Sequence, residues 1–429
     1  MEASAKAVRR RKRDFWIFWA GQTLSNLGTS FTLFALPLLV YNLTGSALSL
    51  AFTTVSEFVP YLLFGLVIGA WVDRVNRKRL MIATDLTRAL VIGTIPVAAL
   101  LGILSVGLIY TVAFVSSTLA IIFTSGEFAA IPSLASQDDL VAANGRIQAS
   151  YSAAQVAGPL VAGALVALLP VAGFMAFDAF SFLLSAVSLT LIVSSFNTSE
   201  SNAGKTHILR DVAEGLKYVL RHPVLRNISA MMALVNFVGV TAGTQLVLFA
   251  KVRLDATNAQ VAWLFSAASI GVVVLSLLAG LLRKRWTFSQ VALGALMISG
   301  VALLVFAFQT NYWIALPIWA LESGLGILFN INTGSLRQAI VPNEMLGRVI
   351  SIAGVLAWSA IPLGAFLGGL VLQATGNVVL VYAGMGALTI LIPLLFSFTA
   401  LGHAERYLPK AEETAPTAAE MAEGVTRAG

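Results

Sequence analysis

Long apolar segments, separated by short polar ones, follow one another along almost the whole chain. Most of them hold at least the ~20 residues that an α-helix needs to cross the hydrocarbon core of a bilayer. Their apolar positions are continuous, which favours helices over the alternating strands of a membrane β-barrel. The pattern predicts an all-α integral membrane protein with twelve transmembrane helices, at residues 15–41, 46–71, 78–101, 106–130, 140–168, 173–195, 224–250, 259–282, 288–308, 313–338, 345–373 and 378–401.

Polar segments at both ends and in the middle divide this series into two groups of six predicted helices. The predicted units are a basic cytoplasmic head (1–13), a first six-helix bundle (14–195), a cytoplasmic linker (196–222), a second six-helix bundle (223–402) and a disordered cytoplasmic tail (403–429). Within the linker, residues 207–222 are predicted to form an amphipathic helix. Its apolar residues share one face, which is typical of a helix lying at a membrane interface.

A short internal repeat relates the two bundles. Gly145 and Arg146 precede Pro159 in the fifth predicted helix, and Gly347 and Arg348 precede Pro362 in the eleventh. Each Pro stands beside a patch of small residues. This repeat predicts two pseudo-symmetric bundles, as in transporters that are built from parallel repeats.

Basic residues are concentrated on one side of the predicted helices. Of the 27 Lys and Arg residues, only Lys251 and Arg253 fall on connections of the opposite side. Because cytoplasmic loops carry the excess of Lys and Arg, both termini are predicted to be cytoplasmic. The net charge of +7 comes from these loops, so nucleic acid is not an expected partner.

The composition excludes several other classes of protein. Of all residues, 58% are hydrophobic and only 11% are charged, whereas soluble domains carry about 25% charged residues. The chain has no Cys, and its three His residues lie in polar segments. No cluster of nucleophile, base and metal ligands is therefore expected in the spans. We expect neither an enzyme nor a receptor, no cofactor, and a monomer surrounded by lipid.

The basic loop between the second and third predicted helices has a distinctive order, GAWVDRVNRKR at residues 69–79. A small residue, Gly69, allows two helices to approach closely, and Asp73 can face the N-terminus of a neighbouring helix. Asn76 is able to adopt a left-handed turn. The cations of the loop would then anchor it: Arg74, Arg77 and Lys78. The alternative is an ordinary basic loop that serves topology alone.

This order resembles the signature loop between helices two and three of the major facilitator superfamily, with Asn76 in place of a second Gly. The segments FWAGQTLSNLGTSFTLFALPLLVYNLTGSA, EGLKYVLRHPVLR and VPNEMLGRV are similar to a branch that contains macrolide-efflux proteins and the enterobactin exporter. The resemblance implies the major facilitator fold and a loop that latches one conformation. It also implies export of amphipathic drug-, macrolide- or siderophore-like molecules across the plasma (inner) membrane of a bacterium, coupled to proton entry. An uptake carrier or a carrier of lipid-linked precursors remains an alternative.

Two features depart from that branch. Many relatives place a polar group such as Asp in helix one where this chain has Thr29, so a coupling carboxylate would have to lie elsewhere. The segment GPLVAG around Pro159 matches the antiporter signature of helix five only in part. Packing of small residues between helices is the alternative interpretation of that segment.

Acidic residues within the spans are candidates for proton coupling, because an unpaired carboxylate is costly there and is usually retained for function or pairing. No phosphate-binding loop is present, so a proton gradient is the expected energy source. We rank Glu322 first and Glu57 second, and we expect Asp178 to be hydrated near the outer end of its helix. Each acid could instead accept hydrogen bonds from a neighbouring helix.

Three further charges near the basic loop form a predicted charge relay: Asp85, Arg88 and Glu127. Glu127 lies near the inner end of the fourth predicted helix, where it could pair with Arg77 or Arg88. We interpret this group as structural.

A polar stripe on the first helix indicates the substrate cavity. In the superfamily that this chain resembles, helices one, four, seven and ten line the cavity near the bilayer midplane. The cavity candidates are Gln22, Asn26 and Thr29 on helix one, with Asn236 and Gln245 as weaker candidates on helix seven. Hydrogen bonding between helices is the alternative role for such residues. Trp263 and Trp358 could add aromatic surface for a lipophilic molecule.

Overall fold

The computed structural model describes residues 2–72, 75–135, 139–196 and 208–407, and regular structure in these ranges is helical. The helices are α1 (Glu2–Thr44), α2 (Ala47–Val72), α3 (Arg77–Leu100), α4 (Val106–Leu134), α5 (Leu140–Leu165), α6 (Val171–Leu191), α7 (Ile208–Arg221), α8 (Pro223–Thr244), α9 (Leu246–Arg253), α10 (Asn258–Arg283), α11 (Phe288–Ala307), α12 (Tyr312–Ile340), α13 (Asn343–Trp358), α14 (Ala360–Thr375), α15 (Val378–Ser397) and a 3₁₀ helix (Ala400–Tyr407).

Eleven segments of the described chain are long and apolar enough to cross a membrane. The remaining predicted span is α5, which is as long as its neighbours but is made less apolar by residues such as Gln148 and Gln155. It packs between α1 of its own bundle and α10 of the other. The predicted all-α fold of twelve transmembrane helices is therefore confirmed.

Two of the predicted spans are broken. The seventh consists of α8 and α9, which meet at Gln245, and the eleventh consists of α13 and α14, which meet at Ser359. The second break has a local cause, because Pro362 has no N–H to donate to the carbonyl of Trp358 one turn earlier. Nearby, Asn236 of α8 donates from Nδ2 to the carbonyl of Ala357 at 3.0 Å, so a side chain of helix seven supports the break.

The helices form two bundles with the same internal arrangement. In the first bundle, α1 packs on α5 and α6, α2 on α4, and α3 on α4 and α6. In the second, α8 packs on α14 and α15, α10 on α12, and α11 on α12 and α15. Each of these five helix pairs of the first bundle has its counterpart six transmembrane helices later, which is the relation that parallel repeats produce.

The two bundles meet through α2 against α14 and α5 against α10. We call distal the side that carries the connections at 45–46, 102–105, 166–170, 254–257, 308–311 and 376–377, and terminal the opposite side, which carries residues 2 and 407. Three hydrogen bonds join the bundles in the described chain, and all lie toward the distal side: Gln245 Nε2 to Ala47 O (2.8 Å), Ser46 Oγ to Gln373 Oε1 (3.2 Å) and Thr54 Oγ1 with Thr244 Oγ1 (3.1 Å).

The sixth helix ends at Leu191, four residues before the predicted end, because two neighbouring helices bind the segment that follows it. Asp14 of α1 accepts hydrogen bonds at Oδ2 from the backbone N–H groups of Val193 (3.1 Å) and Ser194 (2.9 Å). Lys78 of α3 donates from Nζ to the carbonyl of Ile192. These polar groups hold residues 192–196 in a non-helical conformation.

The linker helix and the chain after α15 both pack on the second bundle. In α7, Leu216 and Val219 contact Val341 and Val349, so this part of its apolar face covers protein. The remainder of the linker, at 197–207, lies outside the described residues. Residues 403–407, predicted to be disordered, continue the 3₁₀ helix, with Leu401 and Ala404 buried. The tail beyond Tyr407 lies outside the described chain.

Candidate functional site: a central series of cavities

A cavity of about 400 Å³ lies within the first bundle. Residues from α1 to α6 and one residue of the second bundle form its wall: Thr29, Thr32, Leu33, Leu36, Glu57, Phe58, Tyr61, Arg88, Ile92, Ile95, Val112, Ala113, Ser116, Ser117, Ala120, Tyr151, Asp178 and Trp358. Most of these side chains are apolar or aromatic. The charged ones are two acids and one base, and they carry the chemistry of this first cavity.

Asp178 is fully buried on the cavity wall, so the expectation of a hydrated acid near the surface is wrong. Its Oδ2 accepts a hydrogen bond from Thr32 Oγ1 of α1 at 2.5 Å. The helices approach closely here because α1 has Gly28, where an added methyl group would come within 2.8 Å of Asp178 Oδ1. Asp178 therefore belongs to the contact between α1 and α6.

Arg88 lies beside Asp178 on the same wall, with its guanidinium carbon 3.9 Å from the centre of the Phe182 ring. It lies near Asp85 and Asp178 but forms an ion pair with neither in the described chain. Glu127, which was expected to pair with Arg77 or Arg88, forms no ion pair with them either. The predicted charge relay of Asp85, Arg88 and Glu127 therefore stays a prediction.

Asp85 faces α6 instead of the cavity. Ser185 Oγ donates to Asp85 Oδ2 at 2.6 Å, and Gln22 Nε2 donates to Ser185 Oγ at 3.1 Å. Gln22, a predicted cavity residue, therefore bonds to another helix, which is the alternative role considered for it. Asn26 does not line the cavity either, whereas Thr29 does. The cavity face of α1 begins at Thr29, about two turns after the predicted start at Gln22.

Glu57 occupies the junction between the first cavity and a second cavity of about 350 Å³ that lies between the bundles. The second cavity is bounded by α1, α2, α8 and α10: Leu33, Pro37, Leu50, Thr53, Thr54, Glu57, Phe58, Gly239, Val240, Gly243, Thr244 and Phe265. Within the described chain, the carboxylate of Glu57 accepts no hydrogen bond and forms no ion pair. It is an acid in largely apolar surroundings whose oxygens are available to a ligand or a proton.

A third cavity, of about 370 Å³, lies in the second bundle and shares Gly239 and Val240 with the second. Its wall consists of Val235, Asn236, Gly239, Val240, Val272, Leu296, Ser323, Gly326, Ile327, Phe329, Asn330 and Ile361. Asn236 therefore lies where the sequence predicted. Gln245 does not, because its side chain is fully buried in the distal contact with Ala47.

Glu322, ranked first for proton coupling, faces away from these cavities. Ser299 of α11 donates from Oγ to Glu322 Oε1 at 3.3 Å, and Ser323 Oγ lies 3.4 Å from Oε2. The expectation that Glu322 lines the central cavity is wrong, and hydrogen bonding between helices is its observed role. Its neighbour Ser323 lines the third cavity instead, because consecutive residues of an α-helix point about 100° apart.

The basic loop is described only in part, since Asp73 and Arg74 lie outside the described residues. Gly69 is within the last turn of α2. Asn76 has φ −71° and caps α3, accepting at Oδ1 from Arg79 N at 3.0 Å, so the expected left-handed turn is absent at this residue. Arg77 donates to the carbonyl of Phe196 at 3.2 Å. Together with Lys78, it holds the chain that leaves α6.

Several residues that line the first cavity were not among the predicted site residues, although helical spacing places some of them beside predicted ones. Thr32 follows Thr29 by three residues and so lies on the same face of α1 as that cavity candidate. Tyr61 follows Glu57 by four residues and lies on the same face of α2. Tyr61 also forms an edge-on contact with Trp358 of the second bundle, with ring centroids 6.1 Å apart. No comparable pattern indicated Tyr151, which reaches the cavity from α5.

Comparisons with known proteins agree with this architecture. Residues 6–424 match the transmembrane secretion effector family of the major facilitator superfamily. Macrolide efflux protein A of Streptococcus pyogenes is 24% identical over 369 residues, covering 85% of this chain and 91% of that protein. The multidrug efflux pump Tap of Mycolicibacterium fortuitum is 27% identical over 407 residues, covering 90% and 93%.

Solved structures share the fold. A bacterial homologue of the lysosomal transporter Spinster, in an inward-facing and unoccupied conformation, superposes with a TM-score of 0.73 at 14% identity, covering 94% of this chain and 99% of that one. A bacterial homologue of ferroportin in an inward-facing state gives 0.70 at 18% identity, with 90% and 99% covered. The protein is therefore a membrane-embedded transporter and not an enzyme, and the chain belongs to the transmembrane secretion effector family of the major facilitator superfamily.

Proposed function

We propose that this protein exports amphipathic small molecules that carry a basic group, in exchange for protons that bind at Glu57. The observation that carries the proposal is the position of Glu57, an unpaired carboxylate where the cavity of the first bundle meets the cavity between the bundles. Glu57 replaces Glu322 as the preferred coupling acid, because of these two acids Glu57 alone faces the space that a substrate would occupy.

The energetics of a buried carboxylate link the proton to the substrate. A charged side chain at the centre of a span costs about 2.5–3.5 kcal/mol on insertion scales, and the charge is therefore paired or neutralised. At Glu57, either a bound proton or a cationic substrate removes this cost. The two ligands use the same carboxylate oxygens, so binding of one opposes binding of the other, which is the requirement for exchange.

The rest of the first cavity suits the same class of molecule. Its wall carries one more acid than base, since Glu57 and Asp178 face a single base, Arg88. Phe58, Tyr61 and Trp358 present aromatic surface near Glu57. Aromatic faces attract cations and also bury apolar groups. A lipophilic amine satisfies both the charge and the apolar surface.

Alternating access would operate by rocking of the two bundles. The hydrogen bonds between the bundles lie toward the distal side, and Gly369 of α14 approaches Ala51 of α2 there. We infer that the terminal side is cytoplasmic, because it carries the basic loops. In this arrangement the cavities would accept substrate from the cytoplasm, and protons entering down their gradient would supply the energy without a cofactor.

An accumulation assay in a pump-deficient bacterium tests the proposal. The probes are erythromycin, which carries one tertiary amine, and tetraphenylphosphonium, a lipophilic cation. Cells that express the protein should accumulate less of at least one probe, and a protonophore should remove the difference. Glu57→Gln should abolish export, whereas Glu322→Gln, the matched control outside the cavities, should retain most of it. Increased accumulation would indicate an uptake carrier, and unchanged accumulation of both probes would contradict the proposal.

A further inference from the structure

The third cavity differs chemically from the first. Its wall includes Asn236, Ser323 and Asn330 among apolar side chains, and it contains no acidic or basic residue. An ionised group placed there would find no counter-ion, and burying an unpaired charge is highly unfavourable. The third cavity therefore selects against charged groups, whereas the first attracts a cation.

Two side-chain amides on this wall keep polar atoms that have no partner within the described chain. Asn330 lies in the interior of the long helix α12, yet its side chain is exposed to the cavity and makes no hydrogen bond within the described chain. Asn236 uses Nδ2 to bind the Ala357 carbonyl, which leaves its Oδ1 free to accept. A wholly apolar occupant would leave both amides unsatisfied, at a cost of about 1–3 kcal/mol for each group.

Two glycines keep the space in front of these amides open. No atom lies within 4 Å of the position that a methyl group on Gly239 or Gly326 would take. Gly239 also lines the second cavity, which in turn shares Glu57 with the first. The three cavities therefore adjoin in series, with Glu57 between the first two and Gly239 between the last two.

We propose that the third cavity is a second substrate subsite, which binds an uncharged, oxygen-bearing portion of the molecule whose basic group binds at Glu57. Hydroxyl, ether and ester oxygens on an apolar frame would satisfy the amide of Asn330 and Oδ1 of Asn236. A volume of about 370 Å³ is adequate for such a portion, since drug-sized ligands occupy pockets of ~300–1,000 Å³. This subsite rests on the proposed function and narrows its substrate class.

Binding measurements on the purified full-length protein in lipid nanodiscs test the subsite. Erythromycin joins its amine to a large uncharged portion rich in oxygens, whereas tetraphenylphosphonium is a cation with no oxygen. The variant Asn330→Leu removes the unpaired amide, and Gly326→Val fills the cavity. Gly384→Val on α15 is the matched control, because its exposed position also has no atom within 4 Å.

The subsite predicts a selective loss. Asn330→Leu and Gly326→Val should each weaken erythromycin binding by about tenfold, which corresponds to about 1.4 kcal/mol. For both variants, the dissociation constant of tetraphenylphosphonium should stay within about twofold of the value for the unmodified protein. Gly384→Val should change neither.

Equal losses for both probes, or no loss of erythromycin binding, would overturn the subsite while leaving the proposed function intact. If the unmodified protein binds neither probe, the proposed function fails, and the subsite fails with it. Asn330→Leu and Gly326→Val count as folded if their size-exclusion elution volume and melting temperature match those of the unmodified protein. If Gly326→Val does not fold, erythromycin binding by Asn330→Leu alone tests the subsite, because that substitution removes no packed group.

Discussion

Gly369 of α14 packs directly against Ala51 of α2, so closely that a methyl group on Gly369 would come within 2.4 Å of the Ala51 Cβ. This contact joins the two bundles on the distal side, beside the hydrogen bond between Ser46 and Gln373. The absence of a side chain at Gly369 allows the helices to meet there. A side chain at position 369 would therefore hold α2 and α14 apart on this side.

Gly369→Val is therefore expected to separate the bundles on the distal side. The chain has no Cys, so the pair Ser46→Cys and Gln373→Cys can report the separation by disulfide formation. The pair should cross-link readily in the otherwise unmodified protein and several-fold more slowly when Gly369→Val is added. Gly384→Val is the control on a lipid-facing helix. Equal cross-linking in all three proteins would show that the contact does not set closure.

Topology gives a second prediction, also based on single cysteines. Replacements at Thr44, Ser105 and Asn311, which are exposed on the distal side, should react with an impermeant thiol reagent added to intact cells. Replacements at Asn76 and Thr287, on the terminal side, should react only after the membrane is made permeable. Labelling of position 76 in intact cells would reverse the proposed orientation.

The two basic residues of the distal side are consistent with that orientation, because protein groups bind both. Lys251 donates from Nζ to the Ala256 carbonyl and to Asn258 Oδ1, at 2.8 and 2.7 Å. Arg253 donates to the carbonyl of Phe308 at 3.3 Å. Their charges stabilise the connections next to α9 and α11, so they have a structural reason to lie on the less basic side.

The position of Arg88 beside Asp178 on the wall of the first cavity provides a third prediction. Asp178→Asn removes the anion that lies near the guanidinium and leaves that charge uncompensated inside the bundle, which is strongly destabilising. Thr32→Val removes only one hydrogen bond to a charged group, worth about 1.5–3 kcal/mol. Asp178→Asn should therefore lower the melting temperature in detergent more than Thr32→Val does.

A compensating variant separates charge from packing in this pair. If the charges matter, adding Arg88→Met to Asp178→Asn should restore part of the loss, since the two effects are then coupled. Independent and additive losses would contradict the assignment of Arg88 and Asp178 as partners.

Glu405 gives a fourth prediction, because it binds the N-terminus of α11 outside the membrane-spanning segments. Burial acts to raise the pKa of Glu405, but hydrogen bonds from the backbone N–H and the hydroxyl of Ser289 outweigh it and hold the pKa below its usual value. A carboxylate with a lowered folded-state pKa stabilises the fold above its unfolded pKa of about 4.3. That contribution disappears as the pH falls through the folded pKa.

The 3₁₀ helix at Ala400–Tyr407 should therefore loosen in acid. Hydrogen exchange of the Ala404 N–H, which binds Ser289 Oγ at 3.3 Å, should quicken below about pH 4.3 after correction for the intrinsic rate. Glu405→Gln should exchange faster at neutral pH and lose this pH dependence. If exchange of the Ala404 N–H quickens in acid equally in Glu405→Gln, a group other than Glu405 is responsible.

The fold was predictable from the sequence because the bilayer imposes it. Apolar segments of fixed length, and basic residues on alternate connections, determine the spans and their direction without knowledge of which helix packs on which. The break before Pro362 was less predictable, because Pro37, Pro60, Pro96 and Pro159 lie inside unbroken helices. Neighbouring groups such as the Asn236 amide decide whether a proline ends a helix.

The site was predictable only in its residue types. Polar side chains in a span must face protein or water, and the sequence does not say which. Glu322 and Gln22 face neighbouring helices that offer serine hydroxyls, whereas Glu57 and Asn330 face open space. A rotation of about 100° between consecutive residues separates these outcomes, and only the packing of the bundles determines it.

The most direct test of proton exchange at Glu57 is to measure substrate-driven proton movement by the Glu57→Gln variant. The protein is reconstituted in proteoliposomes with a pH-sensitive dye inside, and erythromycin or tetraphenylphosphonium is added outside. The unmodified protein and Glu322→Gln should both move protons when a transported probe is added. Glu57→Gln should move none, and it should exchange labelled for unlabelled probe only at higher probe concentrations, because its amide cannot pair with the basic group. Full substrate-driven proton movement by Glu57→Gln would contradict the account, because the proton would then bind elsewhere.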